Sequence, residues 1–203
     1  MPKPSAIVFD LGKVLVDFDY SIAARQIAAR AAAPVDIARL FVDQLPFLLS
    51  YETGEVSTRE FVGRLVSLTN YSGTTEEFEK TFGDIFTPIQ PMIELHAALR
   101  RKGFPCYIFS NTNELAVRHV TENFPFFADF NGYIYSHEVR AMKPAAKIYE
   151  AIEEISGKRG LDLLYIDDRP ENIAAGTARG WQTILQETPE KTMAAIQKLG
   201  LLD

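Results

Sequence analysis

Short apolar runs recur along the chain, and each is bounded by turn residues or by the start of a helical pattern. Strands that carry apolar residues on both faces are typical of a parallel sheet that helices cover on both sides. The pattern therefore predicts five parallel strands, at residues 6–9, 106–109, 133–135, 163–166 and 183–185.

Helical patterns separate several of these runs. Residues 92–102 carry an apolar stripe that stops at Gly103, and the stretches 144–156 and 170–179 each begin at a proline. Proline is favoured in the first turn of a helix, and glycine just past its end. Because strands alternate with helices, we predict an α/β fold with a doubly wound, Rossmann-like parallel sheet as its core.

The segment between residues 19 and 88 departs from this alternation. It shows no convincing strand pattern, and two capping boxes, Ser57 with Glu60 and Thr74 with Glu77, indicate helix starts. Four helices are predicted, at residues 21–32, 35–50 with an interruption at Pro46, 58–69 and 75–86. The predicted domains are a core of residues 1–18 and 89–203 and an inserted α-helical cap of residues 19–88.

Composition and charge narrow the class of protein. With 203 residues, of which 47% are hydrophobic and 24% charged, the chain can bury a full core as a soluble protein. The net charge of −6 argues against general nucleic-acid binding. No apolar stretch reaches the ~20 residues of a membrane span, the start does not resemble a signal peptide, and the single cysteine suits a reducing compartment. We expect a cytoplasmic protein with no nucleic-acid or membrane partner, and the sequence carries no indication of its oligomeric state.

Chemically active side chains follow the predicted strands. In an open parallel sheet, ligands bind beyond the carboxyl ends of the strands. The segments at or shortly after these ends are Asp-Leu-Gly-Lys at 10–13, Ser-Asn-Thr-Asn at 110–113, Lys-Pro at 143–144 and Asp-Asp-Arg-Pro-Glu-Asn at 167–172.

Most of these residues also have a purely structural interpretation. Asn111 with Glu114 fits a helix capping pair, Lys143 fits a solvated lysine before a helix, and Asp168 fits a helix N-cap. Asp10 is different, because Gly12 and the β-branched residues after it disfavour a helix at that point. Four unrelated caps at successive strand ends would be a coincidence, so the set favours one shared site.

The chemistry that this set supports is phosphoryl transfer. Asp10 would attack phosphorus and form an aspartyl-phosphate. A Mg²⁺ ion held by Asp10, the Gly12 carbonyl and Asp168 would offset the repulsion between the nucleophile and an anionic substrate. Lys143, the Ser110 hydroxyl and nearby backbone N–H groups would contact the phosphoryl oxygens.

These segments resemble the four motifs of the haloacid dehalogenase-like (HAD) hydrolase superfamily, and the match extends over nearly the whole chain. The motifs are Phe-Asp-Leu-Gly-Lys-Val-Leu-Val-Asp at 9–17 and the segments that begin at 110, 143 and 167. The resemblance implies that Asp10 is the nucleophile, that Ser110 and Asn111 bind phosphate together with Lys143, and that Asp168 binds the metal. It places Asp167 and Asn172 beside these groups, with Asp167 in a position that can hold metal-bound water. The segment 19–88 matches the C1 cap of this superfamily.

Within the superfamily, the chain resembles the bacterial sugar-phosphatase branch that includes α-D-glucose-1-phosphate phosphatase. The shared features are the start of the first motif, the Gly-Glu-Val-Ser turn at 54–57 and the Ser-Asn-Thr-Asn segment. One departure matters, since most family phosphatases have a second aspartate, a general acid and base, where this chain has Gly12. A good leaving group, a water molecule, Asp17 or Asp19 could each take the place of this aspartate. We predict a Mg²⁺-dependent phosphatase whose partner is a small phosphorylated metabolite, with sugar phosphates as one class.

Two other functions are compatible with the pattern. A 2-haloacid dehalogenase also uses an aspartate nucleophile without the second aspartate, but the acids Asp167 and Asp168 would repel its carboxylate substrate. A catalytically weakened HAD-fold protein with a binding or regulatory role is the second alternative. The presence of Asp10, Lys143 and Asp168 argues against it.

Overall fold

The computed structural model describes residues 2–32 and 37–202 of the chain. The strands are β1 (Ala6–Phe9), β2 (Val16–Phe18), β3 (Phe86–Pro88), β4 (Cys106–Ser110), β5 (Gly132–Tyr135), β6 (Leu163–Asp167) and β7 (Gln182–Leu185). The helices are α1 (Tyr20–Ala29), α2 (Ile37–Glu52), α3 (Thr58–Thr69), α4 (Thr75–Gly83), α5 (Gln90–Arg101), α6 (Glu114–Asn123), α7 (Ser136–Val139), α8 (Ala146–Ser156), α9 (Pro170–Ala178) and α10 (Pro189–Lys198). Within these residues, every helix is too short or too polar to cross a bilayer.

Five strands form one parallel sheet in the order β5-β4-β1-β6-β7. The predicted fold class is confirmed, and each of the five predicted strands lies within one residue of its observed ends. The first strand lies at the centre of the sheet, between β4 and β6. The segments that follow these three strands are therefore neighbours.

Helices cover both faces of the sheet, which explains why the strand sequences are apolar without alternation. Ile7 and Phe9 of β1 pack into a cluster with α5 and α10, whereas Ala6 and Val8 pack into a second cluster with α8 and α9. All four side chains are fully buried. Because successive side chains of a strand point to opposite faces, a strand covered on both sides needs an apolar residue at every position.

A two-stranded antiparallel sheet, β2 with β3, lies at the ends of the predicted cap, and the sequence pattern did not reveal it. The predicted helix 75–86 is wrong at its end, because α4 stops at Gly83 and Phe86 pairs with Phe18 in the ribbon. Helices α1–α4, which we call the helical insertion, lie between these two strands. Their aromatic side chains build a third apolar cluster that also includes Leu115 of α6. The division into a core and a cap at residues 19 and 88 stays a prediction.

Two other helix predictions need correction or qualification. The predicted start of the second insertion helix, at residues 35 and 36, lies outside the described residues. From Ile37 the helix runs through Pro46 to Glu52 without the predicted interruption. Because proline has no backbone N–H, the helix lacks one hydrogen bond here, the one to the carbonyl of Val42 four positions earlier. Helix α8 begins at Ala146 rather than at residue 144, because the residues before it form a loop that is bonded to the site described below.

Candidate active site

The carboxyl ends of β1, β4 and β6 bring the predicted site residues to one edge of the sheet. Asp10 directly follows β1, and its backbone N–H donates to the carbonyl of Ile166 in β6 at 2.9 Å. Ser110 ends β4 and Asp167 ends β6. This is the arrangement that the sequence predicted, since parallel strands present their carboxyl ends together.

Lys143 connects the acids of this edge. Its Nζ atom lies 3.0 Å from Asp10 Oδ1 and 2.7 Å from Asp167 Oδ2, and it donates to the Phe109 carbonyl at 2.9 Å. The loop that carries it is fixed by the Asn111 side chain, which accepts from the Lys143 N–H at 2.7 Å and donates to the Lys143 carbonyl at 3.0 Å. With a residue exposure of 5%, Lys143 is a buried member of the cluster and not a solvated lysine.

Asp167 accepts several hydrogen bonds in addition to its ion pair with Lys143. It accepts from the Tyr165 hydroxyl, from the Arg169 N–H at 2.8 Å and from the Asn172 amide at 3.0 and 3.2 Å. Asn172 therefore lies beside Asp167 and binds both of its carboxylate oxygens; the role that the family resemblance implies for it stays a prediction. The interpretation of Asp168 as a helix cap is wrong, because the N-cap of α9 is Arg169 and that cap has no side-chain hydrogen bond.

Charge distribution within the cluster follows from burial and pairing. Burial lowers the pKa of Lys143, but Asp10 and Asp167 outweigh it and hold the pKa above its usual value. Burial raises the pKa of Asp167, whereas the ion pair with Lys143 and the hydrogen bonds to Asp167 lower it. The second effect is larger, so the pKa of Asp167 lies below its usual value. We infer that the Lys143–Asp167 pair is ionised at neutral pH.

The residues at this edge fit a hard divalent cation. Carboxylate oxygens of Asp10, Asp167 and Asp168 lie within 4.8 Å of one another. Burial raises the pKa of Asp10 to about 8, and the charges of Asp167 and Asp168 act in the same direction against the opposing charge of Lys143. Even with a proton on Asp10, the carboxylates of Asp167 and Asp168 outnumber the one ammonium, and oxygen ligands of this kind suit Mg²⁺.

The loop 110–113 is built differently from the predicted capping pair. Asn113 is the N-cap of α6 and accepts from the Ala116 N–H at 3.0 Å, so the pairing of Asn111 with Glu114 as a cap is wrong. Asn111 is instead used to hold the Lys143 loop. The Ser110 side chain is buried, and its hydroxyl makes a long contact of 3.4 Å to the carbonyl of Asn111.

A cavity of about 60 Å³ lies between this loop, the segment after β1 and the helical insertion. Gly12 and Asn111 line it from the sheet side, and Tyr20 and Glu52 line it from the insertion. A Cβ at position 12 would lie 2.9 Å from the Phe18 ring, which also lines the cavity, so a glycine fits this close approach. The sequence interpretation missed Tyr20 and Glu52, since no pattern shows where a helix in the insertion points its side chains.

The two acids considered as substitutes for the missing aspartate are engaged elsewhere. Asp17 forms an exposed ion pair with Lys13. Asp19 is the N-cap of α1 and accepts from the Ser21 N–H at 2.8 Å. Both carboxylates therefore serve local structure at the base of the insertion.

Comparison with known proteins relates this geometry to a family. The chain is 26% identical over 189 residues to the D-ribitol-5-phosphate phosphatase of Bacteroides thetaiotaomicron. The aligned region covers 89% of this chain and 91% of that protein. A HAD family enzyme of Bacteroides thetaiotaomicron, solved in complex with magnesium and inorganic phosphate, has a TM-score of 0.77 at 20% identity and covers 90% of this chain and 93% of its own. A HAD-like family hydrolase from Porphyromonas gingivalis has a TM-score of 0.79 at 22% identity, with both chains covered completely.

The two structural similarities show a shared fold. The family model for haloacid dehalogenase-like hydrolases matches residues 4–180, which is most of the chain and includes all the site residues described above. This chain therefore belongs to the haloacid dehalogenase-like hydrolase family.

Proposed function

We propose that the protein is a Mg²⁺-dependent phosphatase that hydrolyses a small phosphorylated metabolite, in the class of sugar or polyol phosphates, through an aspartyl-phosphate on Asp10. The observation that carries this proposal is the position of Asp10, at the end of the central strand, in contact with the buried ammonium of Lys143 and with carboxylate oxygens of Asp167 and Asp168 within 4.8 Å. The similarity to a D-ribitol-5-phosphate phosphatase supports the substrate class.

The nucleophile is oriented by its own surroundings. Asp10 Oδ1 accepts from the Leu11 N–H at 2.7 Å and from Lys143 Nζ at 3.0 Å. Two contacts on one oxygen fix the plane of the carboxylate and present its other oxygen to the phosphorus. Preorganisation of this kind is a large part of what an enzyme contributes to phosphoryl transfer.

Asp10, Asp168 and the Gly12 carbonyl are the groups that we assign to the metal. When bound, Mg²⁺ supplies positive charge that offsets the repulsion between the carboxylates and the phosphoryl group. The similarity to a HAD family enzyme solved with magnesium and phosphate supports this choice of ion.

Lys143 and the loop 110–113 are assigned to the phosphoryl oxygens. The three N–H groups of Lys143 are directed to Asp10, Asp167 and Phe109, so its main contribution is positive charge beside the nucleophile. Ser110 offers its hydroxyl. Because the Asn111 side chain is occupied by the Lys143 backbone, we assign phosphate binding at Asn111 to its N–H group.

The test is phosphate release from a panel of sugar and polyol phosphates, with Mg²⁺ and with a chelator. We expect release only with the metal, and we expect the variant Asp10→Asn to abolish it. Asp17→Asn makes the same chemical change at an exposed carboxylate and should keep full activity. Turnover by Asp10→Asn close to that of the control would exclude Asp10 as the nucleophile.

The same assays test the two alternative functions. Chloride release from a 2-haloacid in the presence of chelator would indicate a dehalogenase. The cluster of Asp10, Asp167 and Asp168 opposes that activity, since three carboxylates repel a carboxylate substrate. An intact fold that cleaves neither phosphate esters nor haloacids would indicate a binding or regulatory protein.

A further inference from the structure

The proposed reaction needs two proton transfers, and the acidic cluster does not supply a group for them. An alkoxide leaves phosphorus readily only when it takes up a proton, and the water that hydrolyses the aspartyl-phosphate must lose one. Asp10 is the nucleophile, Asp167 is paired with Lys143, and Asp168 is assigned to the metal. The proton donor must therefore come from another wall of the cavity.

Glu52 is the carboxylic acid on that other wall. It is the last residue of α2 and lines the cavity together with Gly12, Ser110 and Asn111. Gly12 lies two residues after the proposed nucleophile and is assigned to the metal, whereas Ser110 and Asn111 are assigned to the phosphoryl oxygens. A leaving group that enters from the insertion side would therefore lie between the phosphorus and the Glu52 carboxyl.

Hydrogen bonds tie the end of α2 to the site. The Ser136 hydroxyl lies 2.6 Å from the Glu52 carbonyl oxygen and accepts from the Thr112 N–H at 2.9 Å. The Tyr51 hydroxyl accepts from the Leu115 N–H at 3.2 Å. These contacts hold the end of α2, including the Glu52 backbone, against the loop 110–113 and the start of α6.

The turn after Glu52 approaches the core equally closely. A Cβ at Gly54 would lie 2.0 Å from the His137 carbonyl oxygen, and Gly54 has a φ of +70°. Both features require glycine at this position. The segment 51–54 is therefore docked on the core, with Glu52 on its cavity side.

The surroundings of Glu52 favour proton exchange near neutral pH. Burial raises the pKa of Glu52 to about 7, and the positive charge of Arg169 opposes that effect. The helices packed against α2 carry other titratable groups: Tyr20, whose pKa burial raises, and Arg25 on α1, Arg59, Glu60 and Arg64 on α3, and His137 and Glu138 on α7. A carboxyl that is part protonated at the working pH serves both as acid and as base.

We propose that Glu52 is the general acid and base of the phosphatase reaction, an inference that rests on the function proposed above. In the first step Asp10 attacks phosphorus, the bond from phosphorus to the ester oxygen breaks, and that oxygen takes its electron pair and the Glu52 proton to leave as an alcohol. In the second step the Glu52 carboxylate takes a proton from water while the water oxygen attacks phosphorus. The Asp10–phosphorus bond breaks, and its electron pair returns to the Asp10 carboxylate as phosphate leaves.

The test compares Glu52→Gln with Glu55→Gln, which makes the same change at an exposed glutamate three residues away. With D-ribitol 5-phosphate, a poor leaving group, Glu52→Gln should lower kcat by ~10²–10⁴-fold, the range typical of a lost general acid or base. With p-nitrophenyl phosphate the leaving group needs no proton. The variant should then release one equivalent of nitrophenolate in a burst and hydrolyse the phosphoenzyme slowly.

A titration gives a readout that does not depend on turnover. In protein labelled with ¹³C at glutamate carboxyls, one carboxyl should titrate near pH 7 and be missing from Glu52→Gln. In the wild type, kcat/KM for D-ribitol 5-phosphate should fall as the pH rises above about 7. The pH profile of Glu52→Gln should not show this decrease.

The outcomes separate the two proposals. An equal loss in the rate of phosphoenzyme formation with both substrates, or a higher KM with unchanged kcat, would show that Glu52 only binds substrate and would overturn the inference. A wild-type protein that releases no phosphate from any ester would overturn the proposed function itself. In that case no burst appears in any variant.

Discussion

Replacement of Lys143 by methionine tests how the buried charges hold the active site together. The side chain of Lys143 is 1% exposed and lies 3.0 Å from Asp10 and 2.7 Å from Asp167, whose side chain is fully buried. Methionine keeps most of the volume but leaves Asp167 as an unpaired buried charge. Removing one partner of a buried ion pair costs about 3–5 kcal/mol in free energy of unfolding. In a chain of this size that loss lowers the melting temperature by about 6–20 °C.

The assay is urea unfolding of metal-free protein at pH 7, with Lys147→Met as the matched control. Lys147 is exposed at the start of α8, so its replacement should change the free energy of unfolding by less than about 0.5 kcal/mol. The double variant Lys143→Met/Asp167→Asn removes the unpaired charge and should recover about 0.5–3 kcal/mol of the loss.

The pH dependence gives a second check on the same variant. Pairing lowers the pKa of Asp167 in the wild type, so its contribution is present above the unfolded pKa and is lost as the pH falls through the folded value. That wild-type loss begins only below the unfolded value of 3.8. In Lys143→Met the ion pair is absent and burial raises the pKa of Asp167, so the carboxyl takes up a proton and the difference from the wild type should narrow as the pH falls towards 4. A loss below about 1 kcal/mol at pH 7, or one that does not change with pH, would refute the view that Lys143 stabilises the carboxylates.

Three further outcomes are expected. Gly54→Ala should lower the free energy of unfolding by at least about 1–2 kcal/mol, because the new Cβ would clash with the His137 carbonyl and a φ of +70° disfavours residues other than glycine. Thermal unfolding measures this loss of stability. Metal-free protein should lose stability as the pH rises from 4 to 8, because Asp10, with a pKa of about 8, keeps a proton in the folded state that the unfolded chain has released. The measurement is the urea midpoint as a function of pH. Its slope should disappear in Asp10→Asn and become smaller when Mg²⁺ is present. Asn111→Ala should cost about 1–3 kcal/mol in chemical unfolding, since it leaves the Lys143 backbone without two hydrogen bonds at 2.7 and 3.0 Å; an unchanged midpoint would show that water replaces them.

The sheet could be predicted from the sequence because burial on both faces requires an apolar residue at each position of a strand. A strand such as β1, with Ile7 and Phe9 facing one helical layer and Ala6 and Val8 the other, must be apolar throughout. The positions of Asp10 and Asp167 follow from the same rule, since each comes directly at the end of such a run.

The ribbon and the insertion carried weaker signals. Strands β2 and β3 have three residues each, which is too few for an alternation of apolar and polar residues to be recognised. They are stabilised by pairing with each other, although they lie far apart in the sequence. The roles of Asn111 and Asn113 could not be separated either. Both fit a helix cap by composition, and only the position of Lys143 in space decides which one caps the helix. No sequence pattern indicated Glu52, because its position at the cavity depends on how α2 packs against the core.

The β2–β3 ribbon has a consequence for engineering. Both connections between the five-stranded sheet and the helical insertion pass through it, and the Asp19 N–H extends the pairing to the Ile85 carbonyl at 3.1 Å. Another helical segment grafted between those two residues would need only to start and finish about 5 Å apart. Such a chimaera would keep Asp10, our proposed nucleophile, but lose Glu52, our proposed proton donor, so the grafted segment would have to supply another acid.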